Sequence, residues 1–197
     1  HSFPTRRSSD LSMRMIRLIS LCCGIYFIVS PVVQAQCNII ASQLRHEYGK
    51  VRFQDTEPTG QVQWQQLPAR QVQVQVRCDV PQPIHIRFDD NDRRGLDFSF
   101  GEEGRATVMF SEAFVDNKSS QFVVHHELNK SSESQSQTPI AVLNGDTVEL
   151  QQHHQPVNGM SATFLLTVIP RVQARSFQVS DQQASTLSLR MTVPERE

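Results

Sequence analysis

Hydrophobic and polar residues alternate strictly between residues 71 and 80. Val72, Val74, Val76, Cys78 and Val80 interleave with Gln71, Gln73, Gln75, Arg77 and Asp79. A period of two puts the first set on one face of a pleated strand and the second on the other, so the run predicts a β-strand buried on one side. The same rule sets Ile84, Ile86 and Phe88 against His85, Arg87 and Asp89, and Leu187, Leu189, Met191 and Val193 against Thr186, Ser188, Arg190 and Thr192. Further strand-like runs cover 44–53, 61–66, 106–110, 121–128, 139–143, 147–151 and 161–169, with Gly, Pro, Asn and Asp between them. Asn144-Gly145-Asp146, lying between two apolar runs, predicts a hairpin. No clean helical stripe appears after residue 35. Many short strands divided by turn signals predict an all-β sandwich, and neither a repeat nor a linker divides it.

The amino-terminal part breaks this pattern. From Met13 or Met15 a short basic stretch with Arg14 and Arg17 leads into an apolar run over 18–33 and then Val33-Gln34-Ala35. This is the layout of a cleavable export signal over 13–35, cut after Ala35; a retained membrane anchor is the competing reading. Residues 1–12, with Phe3-Pro4-Thr5-Arg6-Arg7-Ser8-Ser9-Asp10-Leu11, have no apolar pattern and resemble translated sequencing adapter. Cleavage leaves a single domain over 36–197, long enough for a sizeable core.

Of the four cysteines, Cys22 and Cys23 fall inside the signal, leaving Cys37 and Cys78. An even count in an exported chain predicts a disulfide, and two buried thiols are the other reading. Such a bridge closes a loop of about 40 residues and stabilises the fold by roughly 4 kcal/mol in the chain-entropy estimate. Four arginines and one aspartate leave with residues 1–35, taking the formal charge from −1 to −4. That mild acidity offers no footprint for nucleic acid. The many glutamines lie in alternating segments and turns, where they form a neutral solvated face. Only 131–137, Ser-Ser-Glu-Ser-Gln-Ser-Gln, has the composition of a disordered segment.

Chemical motifs are sparse. His125-His126 and His153-His154 are adjacent pairs, and with Glu127 they invite a metal reading. Neighbours on a strand point to opposite faces, so neither pair chelates one ion, and no metal or cofactor is expected. Asp89, Asp90, Asn91 and Asp92 lack the glycine and distant glutamate of a calcium loop and read as a polar turn. No nucleophile elbow, phosphate loop or zinc-hydrolase motif occurs, so no enzymatic activity is expected.

The order of several short segments carries a resemblance. Cys37, the Tyr48-Gly49 pair, Arg77-Cys78-Asp79, Pro83-Ile84-His85-Ile86, the turn Asp89-Asp90-Asn91-Asp92-Arg93 and the late Leu166-Thr167-Val168-Ile169-Pro170-Arg171-Val172 follow one another. Together they resemble a chaperone-usher fimbrial subunit. The likeness is to the branch known as a domain of unknown function associated with β-type fimbriae, and it spans most of 37–193. It implies an incomplete immunoglobulin-like, pilin-type sandwich lacking its final strand. It also implies that a periplasmic chaperone and then a neighbouring fimbrial subunit each lend a strand to the open groove.

On this resemblance the Leu187, Leu189, Met191 and Val193 face borders the groove and the carboxylate of Glu197 meets basic chaperone residues; an ordinary internal strand gives the same alternation. The implied partners are that chaperone, an outer-membrane usher, other fimbrial subunits and a surface glycan receptor, and the implied location is the surface of a Gram-negative bacterium. Pro194-Glu195-Arg196-Glu197 stands where the family has an aromatic residue. Only Gln36 separates the expected cut from Cys37, so a tip or accessory subunit without a donor segment is expected. A secreted or periplasmic carbohydrate-binding β-sandwich module, using Trp64, Tyr48 and exposed Gln and Asn side chains, is the alternative.

Overall fold

The computed structural model describes residues 36–194 except 42–46, 52–55, 61–62, 91–94, 136 and 176–182, and for 47–51 and 183–185 the backbone alone. The expected signal at 13–35, the run 1–12 and Glu197 lie outside the described residues. The strands are β1 (Cys37–Ala41), β2 (Glu47–Val51), β3 (Glu57–Pro58), β4 (Trp64–Gln66), β5 (Arg70–Pro83) and β6 (His85–Asp89). They continue with β7 (Phe98–Phe100), β8 (Gly104–Val115), β9 (Lys118–Ser119), β10 (Gln121–His125), β11 (Ser132–Gln135) and β12 (Ile140–Val142). The last are β13 (Thr147–Gln152), β14 (Gln155–Pro156), β15 (Asn158–Gln173), β16 (Gln183–Thr186) and β17 (Arg190–Thr192). No helix occurs among the described residues, and every ladder is antiparallel.

Two sheets make an all-β sandwich. The larger has nine strands, with β15 at its centre between β5 and β8, β1 outside β5, and β7, β9 and β12 along the far side of β8. The smaller runs β11-β10-β13-β6-β17, with β14 hairpinned onto β13. A separate two-stranded ladder joins β16 to β2, so the segment predicted at 44–53 pairs near the end of the chain.

The sheets face each other because their alternations bury one set of side chains apiece. Val72, Val74 and Val76 of β5 and Ala162, Phe164, Leu166 and Val168 of β15 are buried, while Gln71 and Gln73 are exposed. From the smaller sheet Ile86, Phe88, Phe122, Val124, Val148 and Leu150 fill the other side. Phe110 of β8 joins the two layers. Its ring lies 6.3 Å from Phe88 and 4.7 Å from Phe122, both edge-on, and 4.6 Å from the stacked ring of Phe164. Such ring pairs add about 0.5–1.5 kcal/mol each beyond the area they bury.

Four sequence expectations need correction. The alternation of residues 71–80 holds through Cys78, but Val80 is exposed rather than buried, because β5 runs on past the end of β1 towards its bend at Ile84. The disordered reading fails at Ser132–Gln135, which form β11, paired with β10 from Phe122 to His125. An edge strand exposed on both faces needs backbone bonds but no apolar residue. Asn144-Gly145-Asp146 does not close a hairpin either, since β12 pairs β8 in the larger sheet and β13 pairs β10 and β6 in the smaller. The turn instead carries the chain from one sheet to the other. Finally, residues 186–193 are not one strand; β16 ends at Thr186 and β17 begins at Arg190.

Buried carboxylates hold that crossing. Asp146 accepts hydrogen bonds from the backbone N–H groups of Leu143 (2.8 Å) and Glu127 (3.2 Å) and contacts His126 Nδ1 at 2.7 Å. Asp90 accepts from the Ser99 N–H and hydroxyl, both at 2.7 Å, and its own N–H donates to Asn144 Oδ1 at 2.9 Å. The bonds to the two carboxylates are charge-assisted, so these acids are satisfied where an unpaired one would cost several kcal/mol.

Two tight turns use left-handed backbone at both central residues: Asp116 and Asn117, between Val115 and Lys118, and His153 and His154, between Gln152 and Gln155. The first is locked from outside. Asp116 accepts from the Ser161 N–H (2.9 Å), the Ser161 hydroxyl (3.0 Å) and the Met160 N–H (3.2 Å), across the register shift between Gly159 and Ser161. Gly159 is required there, since a Cβ would collide with Val115 Cγ1. The slight burial of Asp116 opposes its charge, but the Ser161 and Met160 bonds and nearby Lys118 outweigh it and hold the carboxyl below the ordinary aspartate range.

A carboxylate depressed in the folded state stabilises it above the unfolded-state value and ceases to do so as pH falls through the folded value. Asp116→Asn therefore lowers Tm by about 2–4 °C at pH 7, and the difference closes well below roughly pH 4, where the wild-type acid is protonated too. A gap of equal size at pH 2 and pH 7, measured by circular dichroism melts, contradicts this. The second turn has the opposite prospect, because an Asn-Gly pair adopts two successive positive φ angles more readily than two histidines do. Replacing His153-His154 by Asn-Gly raises stability by about 0.5–1 kcal/mol in urea titrations.

Candidate functional site

The residues expected to border a groove lie on the last described stretch of chain. Thr186 accepts from the Gly101 N–H (3.0 Å), Leu187 bridges Phe100, and the Ser188 N–H donates to Ser99 O (2.9 Å), all at β7 of the larger sheet. Two residues after Ser188 the chain is in the other sheet, where Arg190, Met191 and Thr192 stand opposite Asp89, Phe88 and Arg87 of β6. This short segment therefore ties both layers together. Pro194 follows, and its missing N–H cannot continue a ladder.

Period two makes Leu187, Leu189, Met191 and Val193 point inward and leaves Thr186, Arg190 and Thr192 exposed. The inward four pack against the core but stay only half-buried. The other partly buried apolar residues at the core's margin are Val157 and, on β1, Cys37, Ile39 and Ala41. The incompletely covered part of the core thus belongs chiefly to the first and last described strands. Each is an edge with one ladder among the described residues, β1 to β5 and β17 to β6.

β1 is fastened covalently. Cys37 and Cys78 stand directly opposite each other in the β1–β5 ladder and form a disulfide, so the expected bridge is present and the two-thiol reading is excluded. The Asp79 N–H also donates to Gln36 O at 3.0 Å. β17 has no such fastening. Its stability rests on three residues of pairing and on half-buried side chains, the profile of an element that opens at low free energy.

Beside β17 the outer surface of the smaller sheet is charged. Arg87 contacts Asp89 at 3.1 Å and Glu127 at 2.9 Å, and Arg190 lies 3.8 Å from Asp89. Partial burial of Arg87 works against its charge, but Glu127 and Asp89 outweigh it and hold the guanidinium above its ordinary value. Exposed pairs of this kind contribute little stability. A cleft of about 430 Å³ next to them is lined by Pro81, Gln82, Pro83, His85, Thr147, Asn158 and Pro194.

The two members of the first histidine pair face different ways at the end of β10. His125 turns outward to Ser132 Oγ at 2.8 Å, whereas His126 turns inward to Asp146. His153 and His154 occupy an exposed turn. Asp89 is a strand residue and Asp90 a buried structural acid, not a loop ligand. Trp64 is half-buried on β4 opposite Gln173; Tyr48 lies on β2, where only the backbone is described. Sequence reasoning missed the β7 contacts of 186–188, and no local signal marks them, since they depend on two segments nearly ninety residues apart meeting at one sheet corner.

No family model matches the chain, and no solved structure matches it. Over 159 residues the chain is 24% identical to an uncharacterized protein of Escherichia coli (strain K12), YhcE, with 79% of this chain and 86% of that protein covered.

Proposed function

We propose that this chain is a structural or adhesive subunit of a bacterial surface fibre, built by strand addition: a partner lays an extended segment along the β17 edge and completes the sandwich. The reading is supported most by one observation: Leu187, Leu189, Met191 and Val193 pack against the core yet stay half-buried, along a segment whose strand in the smaller sheet, β17 (Arg190–Thr192), has no ladder on its far side among the described residues. An incoming strand gains main-chain hydrogen bonds from β17 and covers those four side chains with its own alternate residues. Left open, the same edge invites aggregation. The Cys37–Cys78 bridge fits assembly outside the reducing cytosol.

In this reading the chain is exported, a periplasmic chaperone covers the edge first, and another subunit replaces it at an outer-membrane usher. The order of motifs from Cys37 to Val172 supports these partners, and the chemistry of the edge supports the mode of contact. The function is binding and assembly rather than catalysis.

A fusion tests it. An alternating apolar strand joined after Glu197 through a flexible linker raises Tm by at least 10 °C in the exported protein, while the same fusion with lysine at the alternate apolar positions does not. Met191→Asp in the fused protein removes most of the gain. A chain that melts as a stable, soluble monomer with no gain from the fusion overturns the proposal.

A further inference from the structure

The outer face of the larger sheet carries a feature that strand addition leaves unused. Along β15 the even positions Ala162, Phe164, Leu166, Val168 and Val172 are buried, so the odd positions face outward. The register then sets Gln75 beside Thr163, Gln73 beside Leu165 and Gln71 beside Thr167. β4 continues the same column, with Gln66 beside Arg171 and Trp64 beside Gln173. On the other flank Ile40 lies beside Gln75. One line of side chains thus runs Trp64, Gln66, Gln71, Gln73, Gln75.

From Arg171 at one end to Arg77 at the other, no outward position of β1, β5 or β15 is charged. Gln71, Gln73 and Gln75 make no side-chain hydrogen bond among the described residues, so each keeps two donors and an acceptor for a ligand. The smaller sheet is the opposite, its outer face carrying His85, Arg87, Asp89, Glu149 and Arg190. The uncharged stretch on the larger sheet is the middle of the column, Gln71 to Gln75; at its Trp64 end Gln66 stands between Arg171 and Glu57.

From this placement we infer that the Trp64 to Gln75 line is a binding track for a neutral polysaccharide chain. Amide and hydroxyl groups about 6.6 Å apart along a strand recur at roughly the size of a sugar ring, and they match a ligand rich in hydroxyls. The indole of Trp64 offers a flat apolar surface with a polar edge to the C–H side of a sugar. An acidic or basic polymer finds no counter-charges along the middle of the track. The track lies on the other sheet from β17, so this inference stands or falls separately from strand addition.

The test is calorimetric titration of the exported full chain with hexasaccharides of glucan, mannan and galactan, and with acidic oligogalacturonate. The track binds at least one neutral series. Trp64→Ala and, independently, Gln71→Ala/Gln73→Ala/Gln75→Ala weaken that binding at least tenfold, the triple variant with little change in Tm because Gln71 and Gln73 are exposed and Gln75 is half-buried with no side-chain hydrogen bond among the described residues. Absence of binding to every neutral series, equal binding of the acidic series, or binding that survives the triple variant overturns the inference. So does wild-type self-association in sedimentation that the triple variant abolishes with no sugar bound, since the face then receives a second copy.

Discussion

The two sheets meet at one phenyl ring. Phe110 sits on β8, touches Phe164 within its own sheet, and reaches across to Phe88 and Phe122 of the other. Everything functional about the molecule hangs on that layer being dry and fixed, because a sheet edge is a defined surface only when the sheet behind it cannot slide. β15 supplies the rigidity. Sixteen residues long and paired on both sides, it anchors β5, β8 and β4 in a single frame.

Against that frame the margins differ in kind. β1 carries a disulfide to its neighbour, whereas the last described strand has three paired residues, with half-buried Leu187, Leu189, Met191 and Val193 on it and flanking it. The contrast matters physically because covalent and hydrogen-bonded fastenings respond differently to a competitor. A strand held by few contacts at an open edge is a surface on which another chain can gain both backbone bonds and apolar burial. The buried acids Asp90 and Asp146 work toward the same end by a different route: they hold the Phe98–Ser99 corner and the 144–146 crossing in place, and Ser99 in turn bonds the backbone at Ser188.

Much of the fold was legible along the chain. Alternation located β5, β6, β13 and β15 and named their buried residues, since the pleat obliges every second side chain to one face. It failed where the reason for a strand lies elsewhere. Ser132–Gln135 has no apolar residue and exists as a strand because β10 offers it a row of backbone partners. Asn144-Gly145-Asp146 has the chemistry of a reversal, but which strands a reversal joins depends on where each side's apolar face must go. The inward residues from 187 to 193 were named correctly as one apolar face, while the break between β16 and β17 was invisible, because both halves keep the same alternation across a change of sheet.

The amino-acid sequence by itself determined the class of fold, the inward and outward sets of most strands and the lack of any strong catalytic motif, because each of these follows from local period or from composition. Only the tertiary structure decided which strands are edges, that Asp90 and Asp146 are buried locks rather than loop ligands, and that Trp64 extends the column of glutamines on β5. Those are facts about neighbours. A side chain's neighbours across a ladder are set by register and by the closing of one sheet over another, and neither is written in the residues on either side of it.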